Sequence, residues 1–550
     1  MGYDKLRSSS AGQTKCQPRS LTAVIVRSAT LLCVMAAWLS LPCAPAAARN
    51  LRIVDSSKDP LTLYPHNSFD PNSDLVISQI FEGLIEFDAD GQLIPRLAER
   101  WEKISPTRYR FWLRRGVTFH NGEPFDAETV RFSLDRQLRG PRKSANAWLF
   151  DPDFHAEVVS SHVVDLVTQR PDARLPYTLP MFVKIVPPRY VSANTNETLE
   201  QHPIGTGPYR FVEWKKGCYI KLQANPGYWK AGLPRIRNLE FLFLDKDRQV
   251  PALLAGDADL VTKLDGKDTL EVMRAPDTEV QKRHVAAVFW AAMKTHDSPF
   301  ANLKVRQAMN YAVNKRHLIQ YVAKGNSLLV SSMTNPLEIG FNPNLHPYPF
   351  DPQKAKQLLR EAGYENGFRV RALAAEETKH MVFALQAQLR MVGVDLDVTV
   401  VTREEYLRQT IVPKLQTGRP SFDGDMVIWL TPNPTLNAFF NPAVIFYSQS
   451  PYSIIHDAEF DRLYDHFVRT SDPEENRESI YKLQAYMTEQ AFGIYTAQRV
   501  RTIALRRGLQ IKLPPTDSLF GFTLAEAYWL GEAPLGGEND QQSERPGPEK

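Results

Sequence analysis

Two kinds of hydrophobic periodicity alternate along this chain. Leu239-Glu-Phe-Leu-Phe-Leu244 is a short apolar run suited to a buried strand, and Val394-Asp-Leu-Asp-Val-Thr-Val-Val401 alternates as a half-buried strand does. Helices show themselves by their starts. Asp351-Pro352 supplies an N-cap and a proline at the first helical position; Ala355, Leu358, Leu359 and Ala362 then share a face, and Gly363 closes the end. Asp472-Pro473-Glu474-Glu475 repeats the signal ahead of Ile480, Leu483 and Met487. Val305, Ala308, Met309, Ala312, Ile319 and Val322 predict another buried helical face. Trp101, Tyr109, Phe111, Leu113 and Val117 alternate around an expected hairpin and belong to a core. The pattern is mixed α/β without an internal repeat, and 550 residues are enough for two to four domains.

The two ends depart from this pattern. Arg19 and Arg27 precede an apolar stretch from Ala29 to Leu41, and Ala46-Ala47-Ala48 offers an A-x-A cleavage site, so residues 1–48 are expected to be an export signal peptide with the mature chain starting near Arg49. The stretch is shorter than the roughly 20 residues a membrane span needs. Cys16, Cys33 and Cys43 lie in that segment, so a processed chain keeps Cys218 and is expected to form no intramolecular disulfide. Residues 531–550 are polar and rich in Gly and Pro, which predicts a disordered tail.

Composition then narrows the class. With 43% hydrophobic, 10% aromatic and 23% charged residues, the chain is neither a collagen, a polytopic membrane protein nor a mostly disordered one. The net charge of +4 raises nucleic-acid binding, but residues 1–48 hold five basic side chains against Asp4. That leaves 61 basic and 61 acidic side chains out of 66 and 62, and no compositional support for a polyanion partner. Enzyme signatures are also missing: there is no G-x-S-x-G elbow, H-E-x-x-H helix, S-x-x-K or Walker loop. Leu264-Asp-Gly-Lys267 lacks the glycine spacing of a phosphate loop, no His pair sits at metal-ligand spacing, and His120 reads as a turn histidine. Neither cofactor nor metal is called for.

A series of short motifs points to a family. Thr62-Leu-Tyr-Pro-His66 is followed by Phe81-Glu-Gly-Leu-Ile-Glu-Phe-Asp88, Pro95-Arg-Leu-Ala-Glu-Arg-Trp101 and Gly116-Val-Thr-Phe-His-Asn-Gly-Glu-Pro-Phe125. Gly205-Thr-Gly-Pro-Tyr-Arg-Phe211, Asn225-Pro-Gly-Tyr-Trp229, Leu253-Leu-Ala-Gly-Asp-Ala-Asp259 and Val305-Arg-Gln-Ala-Met-Asn-Tyr-Ala312 continue it in order. Gly83, Gly116, Gly122, Gly205 and Gly207 are expected in turns that need positive φ, and Asp126 is expected to cap a helix. Over residues 50–500 the chain resembles family 5 of the extracytoplasmic solute-binding proteins, the peptide and nickel group of ABC importers. The resemblance implies an α/β, two-lobed periplasmic binding protein fold (type II, cluster C) with an inserted subdomain in lobe one. By position, the main part of lobe one is 49–82, 203–292 and 499–530, the insertion 83–202 and lobe two 293–498. Val285–Met293 and the segment around Arg499–Ile503 become the hinge-forming crossing strands. It further implies a non-enzymatic, monomeric protein in the periplasm that closes on a small-molecule or peptide ligand and delivers it to an ABC permease in the inner membrane. An exported hydrolase or a sensory or interaction protein on the same scaffold are the alternatives.

The resemblance also places the site. Trp429, in Phe422-Asp-Gly-Asp-Met-Val-Ile-Trp429, matches a tryptophan that faces the cleft and offers an apolar wall, with Thr431, Asn433 and Asn437 following as polar contacts. Phe69 and Asp70 follow the leading Pro-His, and Trp148 and Trp290 fall near segments that border the cleft in relatives. Peptide binders of the group carry an Asp shortly after the tryptophan to pair with the peptide amino terminus. Here Leu430-Thr-Pro-Asn-Pro434 stands instead. The expectation is a pocket without fixed negative charge that favours neutral, N-blocked or anionic ligands, with Asp70, Glu376 or Glu377 as substitutes if the ligand is cationic.

Overall fold

The computed structural model describes residues 49–55, 58–68, 71–140, 147–264, 266–410, 424–450, 452–453, 455–516 and 523–531. The expected signal peptide, Phe69, Asp70 and the expected tail beyond 531 lie outside the described residues.

A single sheet ties the molecule together. From one edge it runs through Val394–Val401, Phe368–Ala375, Met426–Pro432, Thr278–Met293, Gly493–Arg506, Leu260–Val261, Leu51–Val54, Asn238–Leu242, Tyr219–Ala224 and Tyr209–Lys215, with Ser327–Leu329 pairing off Gly493–Arg506. The two long central strands, Thr278–Met293 and Gly493–Arg506, serve both halves. The C-terminal half of the first pairs with Met426–Pro432 from Ala287↔Pro432 to Met293↔Met426, whereas its N-terminal half pairs with Gly493–Arg506 alone. Their mutual ladder is interrupted between His284 and Val288, opposite Val500 and Gln498. A bulge at that point bends the strands.

Each half has its own core. Beside the first edge, the helices Leu303–Ala312, Pro352–Glu361 and Lys379–Arg390 bury Val305, Met309, Leu358 and Leu385 against Val370 and Ile428 of the sheet. In the other half Leu51, Ile53, Tyr209, Leu222 and Phe241 pack together. A separate antiparallel sheet, Ala98–Ser105, Arg108–Leu113, Val163–Val167 and His155–Ser160, holds the expected hairpin, with Phe111 opposite Trp101 and Phe111, Leu113 and Val117 buried. The segment after this sheet meets the helical half along a seam: Ala173 N–H donates to Val468 O at 2.9 Å, Arg174 Nη1 to Tyr464 Oη at 3.1 Å, and Phe182 stacks on Phe440 with centroids 5.8 Å apart.

The caps are where the sequence placed them. Asp126 accepts from Thr129 N, Asp351 from Lys354 N, and Asp472 from Glu474 N and Glu475 N. The face from Val305 to Val322 does not form one helix. Leu303–Ala312 ends at extended Val313, Asn314 caps a new turn Lys315–His317, and a π-helical turn Leu318–Val322 follows, so Leu318 rather than Ile319 is buried. Cys218 is disulfide-bonded, where no intramolecular disulfide was expected. Among the described residues no helix is long and apolar enough to cross a membrane.

Candidate functional site

The site residues converge on the strand Met426–Pro432 and the loop after it. Alternation puts Trp429 and Thr431 on one face of this strand, and the register sets Trp290 directly opposite Trp429. Trp290 is 1% exposed and its indole N–H donates to Thr431 Oγ1 at 2.6 Å. Trp429 is 9% exposed, and its surroundings are mixed: Tyr406 lies 4.7 Å away, the Arg403 guanidinium sits 5.5 Å above its ring, and its indole N–H donates to Glu377 Oε1 at 3.1 Å. An apolar wall with an acid at one edge and a cation over its face suits an amphipathic solute. Glu377 is thus the member of the suggested acids that touches Trp429.

The polar loop spends its groups on itself. Asn433 N–H donates to Ala286 O at 2.6 Å, its Oδ1 accepts from Thr435 N and Oγ1, and its Nδ2 donates to Asn437 O at 2.8 Å. Asn437 Oδ1 accepts from Phe439 N at 3.2 Å. These bonds hold the loop at the crossing point, where Ala286 N–H donates to Pro515 O and Leu436 packs onto Gly91. Gln498, beside the bulge, donates through Nε2 to Val285 O at 3.1 Å and Asn335 Oδ1 at 3.2 Å.

A residue the sequence reading missed lies under this loop. Ile339 N–H donates to Leu436 O and accepts Ala438 N–H through its carbonyl, each at 2.8 Å, which brings Glu338 against Asn433. Glu338 is 4% exposed; Asn335 Nδ2 donates to Oε1 at 2.5 Å, while Oε2 has no partner. Burial pushes its carboxyl well above the usual carboxylate range, and the amides of Asn433 and Asn335 offset this only in part. In Thr334-Asn-Pro-Leu-Glu-Ile-Gly340 nothing about spacing or periodicity separates this acid from a surface loop.

Trp148 stands elsewhere. It lies in the turn Ala147–Leu149, 6.2 Å from Tyr452, and lines a cavity of about 490 Å³ on the seam with Tyr447, Tyr464, Arg174 and Asp465. Of the leading Pro-His turn, Pro65–Asn67 is described: His66 is buried, its Nε2 bonded to Lys184 O at 2.9 Å and its Nδ1 facing Tyr64 Oη at 3.3 Å. Among the described residues no cluster of three or more His, Cys, Asp or Glu is placed to hold a metal.

Comparison with known proteins gives this geometry a context. Residues 92–449 match the family model of bacterial extracellular solute-binding proteins, family 5. A glutathione-binding protein of Pectobacterium atrosepticum is 31% identical over 355 residues, 62% of this chain and 67% of the relative. Heme-binding protein A of Haemophilus influenzae is 29% identical over 491 residues, 83% of this chain and 88% of the relative. Among solved structures, the Helicobacter pylori periplasmic binding protein DppA in complex with the peptide STSA superposes with a TM-score of 0.76 at 22% identity, covering 88% of this chain and 98% of that one.

Proposed function

The chain belongs to the bacterial extracellular solute-binding proteins of family 5, binding components of ABC importers rather than enzymes, and from that premise we propose that it captures a small organic or peptide-like solute in the periplasm and delivers it to an inner-membrane permease. It works as a monomer and without a nucleic-acid partner. The lobes follow the boundaries 49–82, 203–292 and 499–530 with insertion 83–202 against 293–498. The observation that carries the reading is the meeting of the Trp290–Trp429 pair and the 433–437 loop with the bulge of the two shared strands. A solute held there touches both lobes and stabilises their closed arrangement.

Trp429 supplies the flat wall and Trp290 backs it. Thr431, Asn433 and Asn437 fix the shape of the loop, Phe69 and Asp70 are further ligand contacts, and Trp148 lines the outer end of the closed seam. Relatives and structural neighbours are described with glutathione, heme, the dipeptide Met-Leu, agropinic acid and a nickel–histidine complex. Titration calorimetry and tryptophan fluorescence against these five are expected to give saturable one-to-one binding for at least one. Trp429→Ala should weaken that binding at least about tenfold, the scale of one lost aromatic contact. A folded protein that binds none of them, or an unaffected Trp429→Ala variant, speaks against this assignment.

A further inference from the structure

We propose that Glu338 is the anchor for a cationic group of the solute, an alkylammonium or a guanidinium, and so sets the charge class this protein accepts. The inference rests on the solute-capture reading and reverses the charge expectation drawn from the missing Asp after Trp429. Glu338 is 96% buried by its 4% exposure, and among the described residues no Lys, Arg or His pairs with it. Oε1 is held by Asn335, whose own Oδ1 is fixed by Gln498 Nε2 and Leu337 N–H. The carboxylate is therefore oriented, with Oε2 left without a partner. Asn433 lies against the carboxyl, but the bond its Nδ2 makes is to Asn437 O at 2.8 Å and none is formed to Oε2.

A buried carboxylate with one oxygen unpartnered costs stability that a structural role would not demand, since an amide or an apolar side chain fills the same volume. A charge-assisted bond from a ligand cation offsets that cost, and only when ligand is bound. Position agrees with this. Glu338 sits directly beneath the loop that the family places in the cleft, at the crossing of the two lobes, so a cation reaching Oε2 is gripped where closure is felt by both.

The test has a solute-free arm and a binding arm, both comparing wild type with Glu338→Gln. Without solute at pH 8, the variant is expected to melt higher by roughly 2 °C or more, because it removes the buried acid and keeps the bond to Asn335. The gain should shrink as pH falls towards 4, where the unfolded chain's carboxyl is protonated too. A lower midpoint would show a carboxylate satisfied within the fold and overturn the proposal. In the binding arm, calorimetry with Met-Leu, N-acetyl-Met-Leu, agmatine and glutathione is expected to favour solutes with a free cation, with a loss of about 30-fold or more in Glu338→Gln. Equal binding of acetylated and free dipeptide, or unchanged affinity in the variant, would also overturn it. If wild type binds none of the four, that result counts against solute capture, and the solute-free arm still decides the role of Glu338.

Discussion

His120 shows how a single side chain can be fixed in charge as well as in place. Its Nε2 bonds to Gly207 O at 2.9 Å while Gly205 N–H points at Nδ1 from 3.5 Å, so the neutral tautomer with the proton on Nε2 satisfies both neighbours. A second proton has no acceptor there, and burial lowers the pKa to about 4. In the unfolded chain a histidine titrates near 6.5, so between pH 6.5 and 4 the unfolded state binds more protons and stability falls as pH falls. Urea unfolding across that range should show the slope, and His120→Gln should flatten it. The turn histidine was legible from Phe119-His-Asn-Gly122, because Gly122 does take positive φ at 86°. Gly83, Gly205 and Gly207 differ from it, since none takes positive φ. A Cβ at Gly205 would lie 2.0 Å from Ile80 O, so close approach of two backbone segments demands the glycine, and no local pattern reveals a partner 125 positions away.

At the level of elements, the shared strand Gly493–Arg506 is fastened to the first lobe by a buried ionic cluster. Arg501 Nη2 donates to Asp55 Oδ1 at 3.0 Å, Lys263 Nζ to Oδ2 at 2.8 Å, and Arg501 Nε to Thr262 O at 2.6 Å. Burial alone would raise the Asp55 carboxyl, but Lys263 and Arg501 outweigh it and hold the group well below the usual carboxylate range. Its contribution is therefore complete above the ordinary carboxylate range and is lost only in strong acid. Asp55→Asn strands a buried guanidinium and should cost about 3–5 kcal/mol at pH 7 in denaturant unfolding. A change under 1 kcal/mol would mean that water reaches Arg501. Strands and capped helices were readable because alternation and Asp-Pro starts are local signals, as Val394–Val401 and Pro352–Glu361 show. The break at Val313 was hidden: the apolar spacing continues through it, while Asn314 restarts the chain with its own cap.

For the whole molecule, the ordered motifs of residues 62–312 were enough to assign the architecture, since each fixes a turn or a core contact of the scaffold. The site was only partly legible. Trp429 and Thr431 follow from one strand, but the pairing with Trp290 crosses 139 positions and the approach of Glu338 to Asn433 crosses 95, and both are set by tertiary register. On the proposed lobe boundaries the seam between the 83–202 segment and the helical half lies between the lobes, so opening would break the bonds from Ala173 and Arg174 to Val468 and Tyr464 and part Phe182 from Phe440. The seam also buries apolar side chains of both parts, Leu175, Leu179 and Phe182 with Phe439, Phe440 and Phe467, in one cluster. The most direct measurement is small-angle X-ray scattering of the protein with and without the solute that calorimetry shows to saturate it. The account predicts a smaller radius of gyration in the saturated sample, as the lobes turn about the bulge at 284–288. An unchanged radius at verified saturation would contradict it.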